Sequence, residues 1–233
     1  MILVFGKTGQ VATELQRLGG VLALGREQAD LSDPDACAQR IHTLVPSAVI
    51  NAAAYTAVNK AEEDEELATV VNGYTLNKIG QACAELQIPL VHISTDYVYN
   101  QNLKIPITED SKNKPINSYG ETKLLGDEAC QIMNPNSIVI RTSWLYSSFG
   151  NNFVKKMISS MKIRKKLSVI NDQIGSPTYA ADLAQVILDI ISFKEWKSGI
   201  YNYTNEGEIS WYDFAKDIKF LCGFNDVIIN PIS

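Results

Sequence analysis

Short apolar runs alternate along this chain with stretches in which apolar positions recur every three or four residues. That is the pattern of strands separated by helices. Ile2–Phe5, Val21–Leu24 and Ala48–Asn51 have strand length and composition. Between them lie a helical pattern from about Gln10 to Leu18 and a second one opened by Asp33-Pro34 and closed before Pro46. Proline suits a first helical turn, because the N–H it lacks would have no partner there. Leu67, Val70, Val71, Tyr74, Ala82, Cys83 and Leu86 then recur at helical spacing, which predicts one long amphipathic helix before a strand at Leu90–Ser94. A further helix carries Tyr119 and Lys123, and Ile138–Thr142 is again a strand. Alternation of this kind predicts βαβ units and a parallel sheet, an α/β fold.

After Trp144 the alternation weakens. Asn151–Lys166 reads as a helix, Leu167–Ile170 as a short strand, Tyr179–Ile191 as an apolar helix, Gly199–Thr204 as a strand, and Ser210–Cys222 as a helix with a serine cap. No internal repeat or low-complexity linker interrupts the pattern. Residues 1–143, with 178–205 packing back onto them, are expected to form the main unit. Residues 144–177 and 206–233 are expected to form a smaller lobe.

Composition narrows the class. The 233 residues are 45% hydrophobic and 20% charged, ordinary for one large domain or one and a half with a sizeable core. A net charge of −5 argues against nucleic acid as a partner. Only five apolar-rich residues precede the first glycine, so the N-terminus reads as a strand rather than a signal peptide, and no membrane partner is expected. Four dispersed cysteines without a C-x-x-C pair, and two histidines, are poor material for zinc or a disulfide framework. They suit a reducing cytosol, so the expected location is cytoplasmic and no metal ligand set is assigned. Two charge runs, Glu62–Glu66 and Lys162–Lys166, read as solvated helix ends, with a pyrophosphate contact as the weaker reading of the second.

Chemistry concentrates at a few places. Gly6-x-x-Gly9-x-x-Ala12 follows the first strand and opens a helix, the setting of a dinucleotide-binding turn. Gly6 permits the tight turn, Gly9 lets the backbone approach a pyrophosphate, and the helix N-terminus supplies N–H donors. After the second strand stands Gly25-Arg26, where NAD-binding sites place an acid for the ribose hydroxyl. A guanidinium there suits a 2′-phosphate and favours NADP, while Glu27 keeps NAD open. Asp30 and Leu31 lie where an adenine would rest. The small residues of Asn51-Ala-Ala53-Ala54-Tyr55-Thr56 would let the cofactor lie close.

Tyr119 and Lys123 stand four apart on a helix and share one face. An ammonium there is expected to lower the phenol below its free value of about 10 and to sit against a nicotinamide ribose. Thr95, at the end of a strand, can orient the same substrate oxygen that Tyr119 protonates. These groups read as a nicotinamide-dependent carbonyl reductase. Trp144, at the carboxyl end of the sheet, offers a flat face to a sugar ring, against the plainer reading of an indole packed under the small lobe.

Phe5-Gly-Lys-Thr-Gly-Gln-Val11, Asn51-Ala-Ala-Ala-Tyr-Thr-Ala-Val58, Ser94-Thr-Asp-Tyr-Val98, Tyr119-Gly-Glu-Thr-Lys123, Arg141-Thr-Ser-Trp144, Val169-Ile-Asn-Asp-Gln173 and Gly175-Ser-Pro-Thr178 carry a resemblance over residues 1 to about 222. The chain resembles the extended short-chain dehydrogenase/reductases, and within them the branch that reduces 4-keto sugar nucleotides. The resemblance implies a Rossmann-like doubly wound parallel sheet with a smaller C-terminal substrate-binding lobe. It implies Thr95, Tyr119 and Lys123 as catalytic residues. It implies cofactor contacts at Gly9, Gln10, Val11, Asp30, Leu31, Ala54, Tyr55 and Thr56, and sugar-nucleotide contacts at Val58, Thr95, Asp96, Tyr97 and Trp144. The implied reaction is NADPH-dependent reduction of dTDP-4-dehydro-6-deoxy-L-mannose, in cell-surface polysaccharide biosynthesis such as that of O-antigen, by a homodimer. Ala12 replaces the usual third glycine, Asn59 stands where an aspartate is usual, and relatives continue beyond Asn230-Pro-Ile-Ser233, so a truncated substrate lobe is expected. Magnesium, which the family binds, maps onto no residue here. A Thr-Asp-Glu dehydratase signature is absent, since Tyr97 follows Asp96. The alternatives are another nucleotide-sugar reductase or epimerase of the family, and a non-catalytic, cofactor-binding regulatory subunit resembling the methionine adenosyltransferase β subunit.

Overall fold

Strand-length apolar runs become strands and the patterns between them become helices. In order come β1 (Ile2–Phe5), α1 (Gln10–Leu18), β2 (Val21–Leu24), α2 (Pro34–Leu44) and β3 (Ala48–Asn51). Next are α3 (Glu65–Thr69), α4 (Thr75–Glu85), β4 (Leu90–Thr95), α5 (Ser118–Met133) and β5 (Ile138–Thr142). The second part holds β6 (Leu145–Tyr146), α6 (Phe153–Ile163), β7 (Lys166–Ile170), β8 (Ile174–Gly175), β9 (Thr178–Tyr179) and α7 (Ala180–Ser192). It ends with β10 (Gly199–Asn202), β11 (Ile209–Ser210), α8 (Trp211–Leu221) and β12 (Ile228–Ile232). The computed structural model describes residues 1–99 and 106–233.

Six strands form one parallel sheet in the order β10-β5-β4-β3-β1-β2. Such a sheet is buried on both faces, which is why its strands read as continuous apolar runs. Leu3, Phe5, Val49, Leu90 and Val139 point to one side and pack with Cys37 and Ile41 of α2, Ile79, Ala82 and Cys83 of α4, and Cys130 of α5. Val4, Ile50, Val91, Ile138 and Ile140 point to the other and meet Val11, Ala12 and Leu15 of α1 and Leu183, Ala184 and Ile187 of α7. Ala12 is wholly buried in this second layer, so the methyl at the third position of the glycine motif fits the contact between helix and sheet. The winding reverses between β1 and β3, because β2 lies on one side of β1 and β3 on the other. Ligands of open α/β sheets bind outside the carboxyl ends of the strands at such a reversal.

Beyond β5 the chain leaves the sheet and returns to it. Residues of α6, β7, α8 and β12 build a separate small core around Met157, Met161, Leu167, Val169, Ala215, Ile218 and Ile229. In between, α7 packs on α1 and β10 pairs with β5. Three features differ from the sequence pattern. The long helix is divided by a π-helical turn at Val70–Tyr74. The basic run Lys162–Lys166 straddles the end of α6 and the start of β7 instead of closing one helix. The strand β12, not expected from its pattern because Pro231 lies within it, pairs in parallel with β7 in a two-stranded sheet whose edge spares the missing N–H. Among the described residues no helix is long and apolar enough to cross a membrane.

Candidate active site

Parallel strands bring their carboxyl ends to one edge, and the predicted groups of β1, β3, β4 and β5 therefore meet there. Gly6 turns the chain out of β1 at φ +105°, and a Cβ on it would press on the Ala52 carbonyl and the Ala53 methyl. Gly9 caps α1 without any side-chain bond to the first-turn N–H groups, and no acid lies in that turn. The open donors of the helix N-terminus thus face a glycine-lined cradle, which suits a pyrophosphate. Arg26 is 84% exposed beyond β2, and among the described residues its one ion pair is a long 3.8 Å contact with Asp30, which leaves the guanidinium accessible to a phosphate. Asp30 is held below the ordinary carboxylate range chiefly by the Ser32 N–H. The site's residues therefore fit an NADP dinucleotide.

Other predicted cofactor residues are arranged differently from the simplest expectation. The side chains of Val11 and Leu31 are buried in the two core layers, which leaves their backbone for any ligand. Gln10 turns toward the small lobe, donating from Nε2 to the Leu145 carbonyl at 3.2 Å and accepting from Asn152 Nδ2 at 2.9 Å. Ala53 and Ala54 are half-buried and Thr56 is exposed. The Tyr55 hydroxyl donates to Asp64 Oδ2 at 2.7 Å, so part of the acidic run is paired rather than solvated.

On the chemical side, Thr95 ends β4, and a 3₁₀ turn (Asp96–Val98) follows it. Tyr119 is the second residue of α5. Its ring meets that of Tyr97 edge-on, with centroids 5.5 Å apart. Gly120 makes this approach feasible, since a Cβ there would collide with the Tyr97 carbonyl oxygen. Asn117 Oδ1 accepts from Gly120 N–H at 2.8 Å. Glu62 accepts from both the N–H and the hydroxyl of Ser118, at 2.9 and 2.8 Å, which pulls its carboxyl below the ordinary range. Glu62 is thus exposed, as the sequence pattern implies, yet it closes a 3₁₀ turn rather than opening a helix and it anchors the helix that carries Tyr119.

The expected tuning of Tyr119 by Lys123 is also corrected. Lys123 is 1% exposed, and its Nζ reaches past Tyr119 into the sheet, donating to the Ile93 carbonyl at 2.9 Å with His92 Nε2 at 3.2 Å. Burial pushes the Tyr119 phenol well above its ordinary range, opposed by a side-chain hydrogen bond with Thr95. Burial likewise lowers Lys123 to about 8 and raises Asp96 to about 6. Thr95 Oγ1 lies 3.2 Å from Asp96 Oδ1 and accepts from the Tyr97 N–H.

Val58 is half-buried in a 3₁₀ turn (Val58–Glu62) on the same side. Trp144 sits at φ +47°, a left-handed conformation rare for an indole-bearing residue. It stacks on Trp211 with centroids 3.4 Å apart, and Gly175 lies against the ring where a Cβ would collide. The open flat face expected from the sequence is thus taken on one side by the small lobe.

The whole chain, residues 1–233, matches the family described as RmlD substrate binding domain. The chain belongs to that family. It is similar to the dTDP-4-dehydrorhamnose reductase of Escherichia coli K12, 40% identical over 225 residues that span 92% of this chain and 75% of that one. It is similar in fold to the crystal structure of a dTDP-4-dehydrorhamnose reductase from Clostridium acetobutylicum, with TM-score 0.94, 39% identity, and coverage of 100% of this chain and 83% of that one. A dTDP-4-dehydrorhamnose reductase from Bacillus anthracis, solved in complex with NADP, superposes with TM-score 0.95 at 34% identity over 100% of this chain and 84% of that one.

In this member of the RmlD family the spacing of motifs passed over several buried polar groups. His92, Asp127, Arg141 and Asn51 are all at most 2% exposed and lie in or against β3, β4 and β5. Two signals in the sequence point to them: a histidine inside the apolar strand Leu90–Thr95, and an aspartate four residues after Lys123 on the same helix face. Asn72, also buried, accepts from the Tyr55 N–H and donates to Thr122 of α5. No group of three or more His, Cys, Asp or Glu side chains able to hold a metal ion occurs among the described residues of this single chain.

Proposed function

We propose that this chain reduces the 4-keto group of dTDP-4-dehydro-6-deoxy-L-mannose to give dTDP-L-rhamnose, as an NADP-dependent oxidoreductase. This reading is supported by the placement of Thr95 at the end of β4 and of Tyr119 and Lys123 on α5, together with the glycine turn that opens α1, in a chain of the RmlD family. Gly6, Gly9 and the first turn of α1 would hold the pyrophosphate, and Arg26 would take the 2′-phosphate. When bound, the reduced nicotinamide supplies hydride to C4. Tyr119 then gives its proton to the developing alkoxide, and its raised phenol fits that task, because reduction needs the protonated form at neutral pH. Thr95 donates to the same oxygen and orients it. Lys123, held at β4 by the Ile93 carbonyl and His92, would have one N–H left to give to the cofactor ribose. Val58, Asp96, Tyr97 and Trp144 are the proposed sugar-nucleotide contacts. A reducing cytosol is the proposed compartment, in keeping with buried free thiols at Cys37, Cys83 and Cys130.

The test is turnover by the purified chain with NADPH and dTDP-4-dehydrorhamnose, followed as loss of NADPH absorbance and as dTDP-rhamnose formed. A chain that binds NADPH yet forms no product would favour the regulatory-subunit alternative.

A further inference from the structure

Beneath the reacting groups runs a row of buried polar side chains that the proposed reaction does not itself use. Lys123 Nζ has His92 Nε2 at 3.2 Å, and His92 Nδ1 has Asn51 Nδ2 at 3.1 Å. Asn51 ends β3, and its Oδ1 accepts a long 3.4 Å bond from Ala53 N–H in the proposed cofactor loop. On the other side, Asp127 Oδ1 lies 3.6 Å from His92 Nε2, while Asp127 Oδ2 accepts from Arg141 Nε at 2.9 Å. Among the described residues Asp127 Oδ1 has no hydrogen-bond partner, nor has Arg141 Nη2. We infer that His92 and Asp127 are positioning residues that fix where the Lys123 ammonium sits and whether it is charged, and that His92 ties this to the cofactor loop through Asn51. The inference rests on the assignment of Lys123 to the reaction.

Donor and acceptor counting gives the reason. A neutral imidazole carries one N–H and one acceptor nitrogen, an ammonium has donors only, and the Asn51 amide nitrogen is a donor. If Nδ1 accepts from Asn51, Nε2 carries the proton and faces Lys123 donor to donor, which suits only a neutral amine. If Nε2 accepts from the Lys123 ammonium, Nδ1 carries the proton and the Asn51 amide must turn its oxygen to it. The charge on Lys123, the tautomer of His92 and the orientation of Asn51 are therefore one linked choice. Burial drives the His92 ring well below its ordinary range, so it stays neutral and able to take either tautomer. The groups facing Lys123 are His92 from β4, Asp127 and Cys130 on its own helix, and Arg141 of β5 acting through Asp127, with Tyr119 one turn back and Asp96 behind it. Burial lowers Lys123, while Asp127 and Cys130 oppose the fall. Loss of the Asp127 charge must lower it further.

The experiment measures kcat against pH at saturating NADPH and keto-sugar nucleotide for the unmodified chain, His92→Leu, His92→Gln and Asp127→Asn. In parallel, the lysine Cε resonance of the NADP complex is titrated and assigned with Lys123→Arg. The alkaline limb should move to lower pH by about one unit or more in Asp127→Asn and in His92→Leu. It should return in His92→Gln, whose amide oxygen accepts from Lys123. Unmoved limbs in soluble variants would overturn the inference. So would a Lys123 resonance titrating near the free value of about 10.4 in the unmodified chain, a measurement that stands even where a variant fails to fold. Full turnover by Lys123→Ala would instead remove the catalytic assignment, while the resonance would still report on the network.

Discussion

A single hydroxyl distinguishes the proposed chemistry from mere cofactor binding. Tyr119→Phe should lower kcat by about 10²–10⁴-fold with little change in NADPH affinity or melting temperature, because only the proton donor is lost. Near-normal reduction by the Phe variant would sink the mechanism. Gly120→Ala should be nearly as harmful, since its Cβ would push α5 off the Tyr97 carbonyl. Asp96 allows a test that is independent of turnover. Its folded carboxyl titrates at about 6 against an ordinary 3.8, so the folded form favours the proton. That preference contributes stability below pH 3.8, and the contribution is lost as pH rises through 6. Asp96→Asn, which needs no ionisation, should therefore melt higher than the unmodified chain at pH 7.5, by up to roughly 3 kcal/mol, and lose that advantage by about pH 4. Equal melting temperatures across this range would show that Asp96 is well solvated.

At the scale of elements, the central strands β1, β3, β4 and β5 were legible in the sequence because each is buried on both faces and needs mostly apolar residues. The glycine turn after β1 and the serine cap of α8 were legible because their causes are local. The π-helical turn was not. It lets Asn72 serve the Tyr55 backbone and Thr122 at once, partners 17 and 50 residues away, and no local pattern encodes that demand. Lys123 failed for a related reason. Spacing placed it on the face of Tyr119, yet its long side chain found a backbone carbonyl and a histidine on β4 that spacing cannot reveal. Glu62 is another such long-range partner. Glu62→Ala should lower kcat more than it raises the KM for NADPH, because it frees the start of α5 while leaving the glycine cradle intact; proportionate losses in both would refute its anchoring role.

Across the whole molecule, Arg26 is assigned to the cofactor alone and Trp144 to the sugar nucleotide alone, so changes at these two residues should separate the two affinities. NADPH should bind more tightly than NADH, and Arg26→Ala should narrow the difference; equal affinities in the unmodified chain would remove the phosphate role of Arg26. Trp144→Phe should weaken dTDP-sugar binding, read by quenching of tryptophan fluorescence, and leave NADPH binding intact. Normal binding of both ligands would make the Trp144–Trp211 stack a packing contact alone.

The order of strands also carries a consequence for how the chain is made. Among the described residues β5 gains its outer neighbour from β10, and the layer of α1 gains most of its cover from α7. Both partners are encoded after the polypeptide has passed through α6, β7 and the short strands that follow. A ribosome adding roughly 5–20 residues per second leaves the edge of β5 unpaired for seconds between Thr142 and Asn202. During that interval the apolar surfaces of Ile138, Ile140 and Leu15 are open to solvent, a standing invitation to chaperones or to a neighbouring nascent chain.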